Sequence, residues 1–293
     1  MRFVAVDWGT TRLRAMLVDG DRVLARAASQ DGVSRLRRGE HQVVFMRACG
    51  AWLAAEPDLE VALVGMVGSR EGWLPAPYAA CPAGPGEVAA ALTPVGPEFG
   101  FHGAVVPGLL AERAGSIDVM RGEETHLLGT GVADGLVCLP GTHCKWALME
   151  SGRIVAFATF LTGELYALLR EHSMVGRPAA DPADEDGFAL GLAAAGGEVS
   201  GGLLNRLFEA RAATVTGRLQ PAALGPYLSG LLTGEEVGGA LRLFGRPSRV
   251  TIVADEPRAG LYVAALGRAG VETSLRAPEP ALLAGLARIL GAR

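Results

Sequence analysis

One pattern occurs twice in this chain, at a constant offset of 132 residues, and it limits the available folds more than any other feature. In the first copy a short apolar run, Phe3 to Asp7, ends in an acid; Trp8-Gly9-Thr10-Thr11 then turns the chain into a second run, Leu13 to Val18. Asp19-Gly20 predicts a tight hairpin, because a two-residue turn of this type needs positive φ at its centre, and Val23 to Ala28 returns as a third strand. In the second copy Leu136 to Leu139, the turn Pro140-Gly141-Thr142-His143, Trp146 to Met149, the hairpin Ser151-Gly152 and Ile154 to Leu161 follow in the same order. Gly9, Thr10 and Gly20 reappear as Gly141, Thr142 and Gly152. In a chain with 41 glycines three matched small residues are a cheap coincidence, but the matched order of strand, Gly-Thr turn, strand, glycine hairpin and strand is not. The repeat predicts two similar α/β domains facing each other across a cleft.

A length of 293 residues holds two domains of ordinary size, and 49% apolar against 20% charged residues suits a globular protein with a large core. We divide the chain into residues 1–130 and 131–293, with the final helix, 280–290, packing back on the first domain. Helical periodicity or helix-start signals appear at Gln42 to Ala55, Glu123 to Leu128, Gly163 to Arg170, Tyr227 to Leu243, Gly260 to Ala269 and Pro280 to Leu290. Thr251 to Ala254 reads as a strand. Gly- and Pro-rich stretches at Pro75 to Pro85 and Pro94 to Gly108 read as loops, and Arg177 to Gly187 as a mobile surface loop.

A net charge of −4 gives no general attraction to nucleic acid or to an anionic membrane surface. The basic cluster at Arg35, Arg37 and Arg38 lacks interleaved aromatics and reads as a solvated face. Phe188 to Gly197, the most apolar later stretch, is too short and too glycine-rich to span a bilayer. With no leader pattern at Met1, a cytoplasmic location is expected. Cys49, Cys81, Cys138 and Cys144 form no CxxC pair and read as buried thiols. The sequence leaves a homo-oligomer open. Neither a Walker-A lysine pattern nor a strand-GxGxxG-helix element is present, which disfavours the P-loop and dinucleotide-binding folds.

A Gly-Thr turn between two strands suits phosphate, because small residues let backbone N–H groups approach the anion and the threonine adds a hydroxyl. Asp7, at the strand end, is placed to hold Mg²⁺, which takes few carboxylates together with phosphate oxygens. Opposed loops at Gly9-Thr10 and Gly141-Thr142 can grip a triphosphate from both sides. Met120-Arg121-Gly122-Glu123-Glu124-Thr125 sets two carboxylates at a helix start. They can serve the macrodipole, or one can act as general base toward a sugar hydroxyl with Arg121 beside an anionic substrate. Adjacent side chains on a helix diverge by about 100°, so only one of the two can face a cleft, and Glu123 lies nearer the start. The run Gly65 to Trp73, with Tyr78 after it, offers Ser69, Arg70 and two aromatics to a small polar ligand.

Asp7-Trp8-Gly9-Thr10-Thr11, Gly32-Val33-Ser34-Arg35-Leu36, the Gly65-to-Trp73 run, Met120 to Thr125, Pro140-Gly141-Thr142-His143-Cys144-Lys145-Trp146, Thr162-Gly163-Glu164-Leu165 and Leu228-Ser229-Gly230-Leu231-Leu232 fall in order along nearly the whole chain. Together they resemble the corresponding blocks of the 2-dehydro-3-deoxygalactonokinases. The resemblance implies a duplicated actin/hexokinase-like (ribonuclease H-like) α/β fold and an ATP- and Mg²⁺-dependent kinase acting on the 6-hydroxyl of 2-dehydro-3-deoxy-D-galactonate in galactonate breakdown. It also implies a first phosphate loop at Gly9, Thr10, Thr11 and Arg12, and a second at Gly141, Thr142, His143 and Lys145. Sugar-acid contacts are expected from Arg35, Ser69, Arg70, Trp73, Tyr78 and Arg121, with Asp7, Glu123 and Glu124 as the catalytic acids. One departure stands out: the glycine turn that the superfamily places after the strand ending at Val253 is here Ala254-Asp255-Glu256-Pro257. Two other readings remain, a kinase for another sugar acid such as 2-dehydro-3-deoxygluconate and an actin-like nucleotide-dependent assembly protein. The loop of Trp73 and Tyr78 and the cluster at Arg121, Glu123 and Glu124 argue against the second, since a pure nucleotide switch needs neither.

Overall fold

The computed structural model describes residues 1–113, 115–181, 183–196 and 201–293. Pro182 and Gly197, which fall within two stretches named above, lie outside the described residues. The chain runs β1 (Arg2–Trp8), β2 (Leu13–Asp19), β3 (Arg22–Ser29), α1 (Glu40–Ala55), β4 (Glu60–Val64), β5 (Tyr78–Ala80), α2 (Pro85–Ala90), β6 (Thr93–Val95), β7 (His102–Val105), β8 (Gly108–Arg113), β9 (Ser116–Met120) and α3 (Glu123–Gly129). It continues with β10 (Gly135–Leu139), β11 (Cys144–Glu150), β12 (Arg153–Phe160), α4 (Thr162–His172), α5 (Asp186–Ala194), α6 (Leu203–Val215), α7 (Pro221–Phe244), β13 (Arg249–Val253), α8 (Arg258–Arg268), β14 (Glu272–Arg276) and α9 (Pro278–Leu290). Two compact units result. The first comprises Met1–Asp134, Ala147–Phe157 and Ala277–Arg293, and the second Gly135–Trp146 and Ala158–Arg276.

The two large sheets have one plan. The first is ordered β3-β2-β1-β4-β7-β6 and the second β12-β11-β10-β13-β14. In each, the third, second and first strands of a meander lie side by side, and later strands follow on the far side of the first, three in the first sheet and two in the second. β1 pairs antiparallel with β2 and parallel with β4, as β10 pairs parallel with β13. The parallel strands next to the meanders, β4 and β13, carry short runs, Val61 to Val64 and Val250 to Val253, buried almost throughout, as strands covered on both faces must be. Trp8, Leu13, Phe45 and Leu63 centre the core of the first unit, and Cys138, Trp146, Ile252 and Leu266 that of the second.

Three expectations are corrected. Pro75 to Pro85 is not all loop, because Tyr78–Ala80 forms β5 and pairs parallel with β8. Pro94 to Gly108 is not a loop, because it supplies β6 and β7 to the first sheet. Gly103 belongs there for packing, since a Cβ at that point would fall 2.0 Å from the Val61 carbonyl oxygen. Pro94 sits on the edge strand, where a missing N–H is tolerated. Likewise α7 begins at Pro221, well before Tyr227. Pro226 cannot donate to the Ala222 carbonyl four residues back; the Asp184 N–H takes that place at 3.0 Å, so the helix continues through the proline. That bond, with one from Ala180 N–H to the Pro221 carbonyl at 3.1 Å, ties described parts of the Arg177–Gly187 segment to the start of α7. No helix among the described residues is long and apolar enough to cross a membrane.

Candidate active site

In the first unit the turn after β1 is closed by the Gly9 N–H, which donates to the Arg12 carbonyl at 2.9 Å. A short 3-10 turn, Val33–Arg35, holds it from behind. Val33 N–H donates to the Gly9 carbonyl at 3.0 Å, and Ser34 donates both its N–H, at 3.2 Å, and its hydroxyl, at 2.8 Å, to the Thr10 carbonyl. These bonds engage the loop carbonyls, while Thr10, Thr11 and Arg12 are exposed. Arg35 is exposed at the end of the supporting turn and reaches the Gln30 carbonyl at 3.4 Å.

Asp7 lies opposite Val64 in the β1–β4 ladder, so the residue after β4, Gly65, is its neighbour. A Cβ at Gly65 would stand 3.5 Å from Asp7 Oδ1 and 3.0 Å from the Trp8 carbonyl oxygen. Gly122, at the start of α3, comes as close from the other side, with a Cβ there only 3.2 Å from Gly65 Cα. Both glycines have positive φ, +92° and +107°, a conformation L side chains rarely adopt. Two glycines thus bring Asp7 and the first turn of α3 together. α3 is anchored by α9 along its length: a Cβ on Gly285 of α9 would fall 1.9 Å from the Thr125 carbonyl oxygen, and one on Gly129, at the far end of α3, 1.8 Å from the Ala281 carbonyl oxygen.

The two glutamates of that turn have different surroundings. Glu124 is fully buried; its carboxylate accepts from the Gly122 N–H at 2.6 Å and from the Thr125 hydroxyl at 2.9 Å. Burial, reinforced by the charge of Glu123, pushes its pKa up to about 7. Glu123 is half-buried and accepts the Arg121 N–H at 3.0 Å. Asp7 is partly exposed, and Arg14 Nη1 approaches its Oδ2 no closer than 3.7 Å.

In the second unit Cys144 Sγ closes the loop, accepting the Gly141 N–H at 3.4 Å and donating to the Gly141 carbonyl at 3.2 Å. The start of α4 supports it: Gly163 lies against Gly141, and the Glu164 N–H donates to the Thr142 carbonyl at 3.0 Å. His143 Nε2 pairs with Glu164 on the surface. Lys145 is buried on β11. A cavity of about 270 Å³ opens beside Gly141, Thr142 and Gly163, lined further by Ser229, Arg258 and Tyr262. It unites three of the sequence blocks, the Gly-Thr loop, Thr162-Gly163 and Ser229. Asp255 and Glu256 do not line it; Glu256 instead accepts the Gly260 N–H at 3.1 Å and so caps α8.

Beneath the second loop lies a network with no clear sequence signal. Glu236 on α7, 2% exposed, accepts from Trp146 Nε1 at 2.8 Å and from the Tyr262 hydroxyl at 2.8 Å, and that hydroxyl meets Cys144 Sγ at 3.0 Å. Burial raises the Glu236 carboxyl and pushes the Cys144 thiol up to about 11, which leaves it a neutral thiol and no nucleophile. Among the described residues no cluster of three metal-ligating side chains exists.

The Gly65-to-Trp73 run divides. Trp73, expected as a ligand platform, is half-buried and packed among Trp8, His41, Phe45, Phe99 and Phe101, with ring centres between 5.6 and 6.4 Å away. Part of its large apolar ring is thereby buried against the core of the first unit. Arg70 is exposed, whereas Ser69 is buried. Tyr78, also expected to stack on ligand, has its ring over the buried Arg121 guanidinium at 4.4 Å.

The sequence profile of the 2-keto-3-deoxy-galactonokinases matches residues 7–289. The 2-dehydro-3-deoxygalactonokinase of Escherichia coli strain K12 is 36% identical over 293 residues, 98% of this chain and 97% of that protein. A crystal structure of a protein assigned as a 2-dehydro-3-deoxygalactonokinase from Sinorhizobium meliloti is 31% identical and superposes with a TM-score of 0.84 over 99% of this chain and 98% of that one. A glucokinase from Streptomyces griseus, crystallised with glucose and AMPPNP, superposes with a TM-score of 0.51 at 16% identity over 99% of this chain and 98% of that one. That last likeness concerns the fold alone, and with the repeated strand order it makes this an actin/hexokinase-like fold.

Proposed function

The chain belongs to the 2-keto-3-deoxy-galactonokinase family, and from that premise we propose that it transfers the terminal phosphoryl group of ATP to the 6-hydroxyl of 2-dehydro-3-deoxy-D-galactonate, in galactonate breakdown. The observation that carries the reading to particular residues is the meeting of Asp7 and the first turn of α3 at Gly65. Phosphoryl transfer needs positioning, charge neutralisation and a base for the attacking hydroxyl. We assign the base to Glu123, because Glu124 is sealed in the interior with both oxygens engaged, while Glu123 retains exposure. Proton transfer from the sugar hydroxyl to Glu123 raises the nucleophilicity of the oxygen as it meets phosphorus.

The residues fit Mg²⁺. Asp7 offers a hard carboxylate that is partly open and only loosely contacted by Arg14, and this ion takes one or two carboxylates with phosphate oxygens. Asp7 would hold it, and the ion when bound neutralises charge on the phosphates. Thr10 to Arg12 in the first unit and Gly141 to Lys145 in the second are assigned to the phosphates, and the cavity beside Gly141 to the remainder of the nucleotide. A cytoplasmic reaction is part of the same proposal, supported by the use of ATP as donor.

A coupled ADP-release assay across 2-keto-3-deoxy sugar acids tests this. Turnover of the galactonate derivative above its gluconate epimer is the expected result. ADP release with none of the acids overturns it.

A further inference from the structure

Arg121 is 9% exposed and only partly satisfied. Its Nη2 donates to the carbonyls of Ala76, at 2.8 Å, and Pro77, at 3.4 Å. Its Nε and Nη1 are buried with no hydrogen-bond partner, and so is Ser69 Oγ. Among the described residues no carboxylate pairs with the guanidinium. The two orphaned groups are linked by Gly68, where a Cβ would lie 3.1 Å from Arg121 Nη1, so the Gly68-Ser69 turn passes that nitrogen directly.

A guanidinium does not lose its proton to escape burial. The Tyr78 ring and two carbonyls stabilise the cation, but a buried charge without a counter-ion is costly, and so is a buried hydroxyl without an acceptor. Both deficits are met by one ligand type. A carboxylate has two oxygens, accepts only, and forms its strongest hydrogen bonds with arginine in surroundings of low dielectric. Arg35 and Arg70, the other candidate cations, are exposed and have no such deficit. Tyr78, 44% exposed, is the residue that shields the face of the guanidinium.

We infer that Arg121 and Ser69 form the subsite for the carboxylate of the sugar-acid substrate. The inference rests on the proposed kinase function. It makes the acid group the feature that separates this substrate from a neutral sugar.

The test uses Ser69→Ala and Arg121→Lys in the full-length protein, with calorimetric binding of 2-dehydro-3-deoxygalactonate and of its neutral carboxamide. Removing an unsatisfied buried hydroxyl leaves the melting temperature of Ser69→Ala unchanged or raised if nothing else is lost. Binding of the sugar acid is nevertheless expected to weaken roughly tenfold, the scale of a hydrogen bond to a charged group. The KM for ATP stays as in the wild type. Arg121→Lys, which keeps the charge but loses the planar fork, is expected to weaken acid binding further and to narrow the preference for acid over amide. Ser69→Ala remains informative if the lysine variant does not fold. Wild-type acid binding in Ser69→Ala, or an unchanged acid-to-amide preference in a folded Arg121→Lys, overturns the subsite while the kinase function stands. Failure of the wild-type protein to bind any sugar acid overturns both.

Discussion

Gly163 lies so close to Gly141 that a Cβ on it would come within 2.3 Å of the Gly141 carbonyl oxygen, and Gly32 stands in the same relation to Thr10, at 2.2 Å. Each Gly-Thr loop is therefore held by a later turn of its own unit, through a glycine contact and an N–H donated to the threonine carbonyl, from Ser34 to Thr10 and from Glu164 to Thr142. The repeat extends beyond the strands to the way the loops are held. With their carbonyls engaged, the loops have amide groups left for an anion, which suits a phosphate site.

Gly163→Ala and Gly141→Ala separate support from contact. A methyl at 163 meets backbone at 2.3 Å, so the turn must move, and a loss of about 1–3 kcal/mol of stability is expected together with a raised KM for ATP. A methyl at 141 meets nothing closer than 3.8 Å and should leave the melting temperature unchanged. If the loop backbone approaches phosphate, that same methyl obstructs the ligand and raises the KM for ATP. An unchanged KM in Gly141→Ala, measured with saturating sugar acid, removes the second loop from the phosphate site.

Asp7→Asn keeps the shape of the β1 end and removes one charge from the proposed metal-phosphate site. Loss of charge stabilisation at that position should lower kcat by about 10²-fold or more. Arg14 at 3.7 Å contributes little to stability through so exposed a contact, so the melting temperature should hold. Wild-type turnover of the variant at saturating Mg²⁺ would show that Asp7 is not in the site.

Much of this arrangement could be read from the sequence because the motifs are local. Gly9-Thr10 and Gly141-Thr142 each lie between two apolar runs, and glycine hairpins mark the returns. The parts that could not be read depend on distant partners. The stretch that supplies β6 and β7 carries Pro94, Gly96, Pro97, Gly100 and Gly103, which signal a loop until Val61 is seen against Gly103. The start of α7 is hidden by Pro226, whose missing bond is replaced from Asp184, 38 residues upstream of Ala222. Glu236 looks like one more acid on a helix; only folding sets it beside Trp146, 90 positions away, and Tyr262. The packing of Trp73 is hidden for the same reason, since the five rings around it come from β1, α1 and the segment before β7.

Glu123→Gln and Glu124→Gln test the assignment of the base. The amide at 123 preserves size and cannot accept the hydroxyl proton, so turnover should fall on the order of 10²–10⁴-fold with sugar-acid binding retained. Glu124 is fully buried, and its change should alter kcat by less than about tenfold. Steady-state kinetics with binding measured by calorimetry decides between them. A larger loss at 124 than at 123 would reverse the roles.

Glu124 gives the fold a dependence on pH opposite to that of a salt-bridged acid. Its carboxyl is raised from the ordinary 4.5 to about 7, mainly by burial, so between those values the unfolded chain releases a proton that the folded chain retains. The stability this group supplies is complete below about pH 4.5 and is lost as the pH rises through about 7, a change of about 3 kcal/mol at 1.36 kcal/mol per decade. Glu124→Gln imitates the neutral acid and cannot ionise. Denaturant unfolding of both proteins from pH 5 to 8 should therefore give a wild type that loses about 2–3 kcal/mol more than the variant over that range. Parallel profiles for the two proteins would mean that Glu124 is already ionised in its buried position at pH 5, and that the Gly122 N–H and the Thr125 hydroxyl stabilise the charge more than burial opposes it.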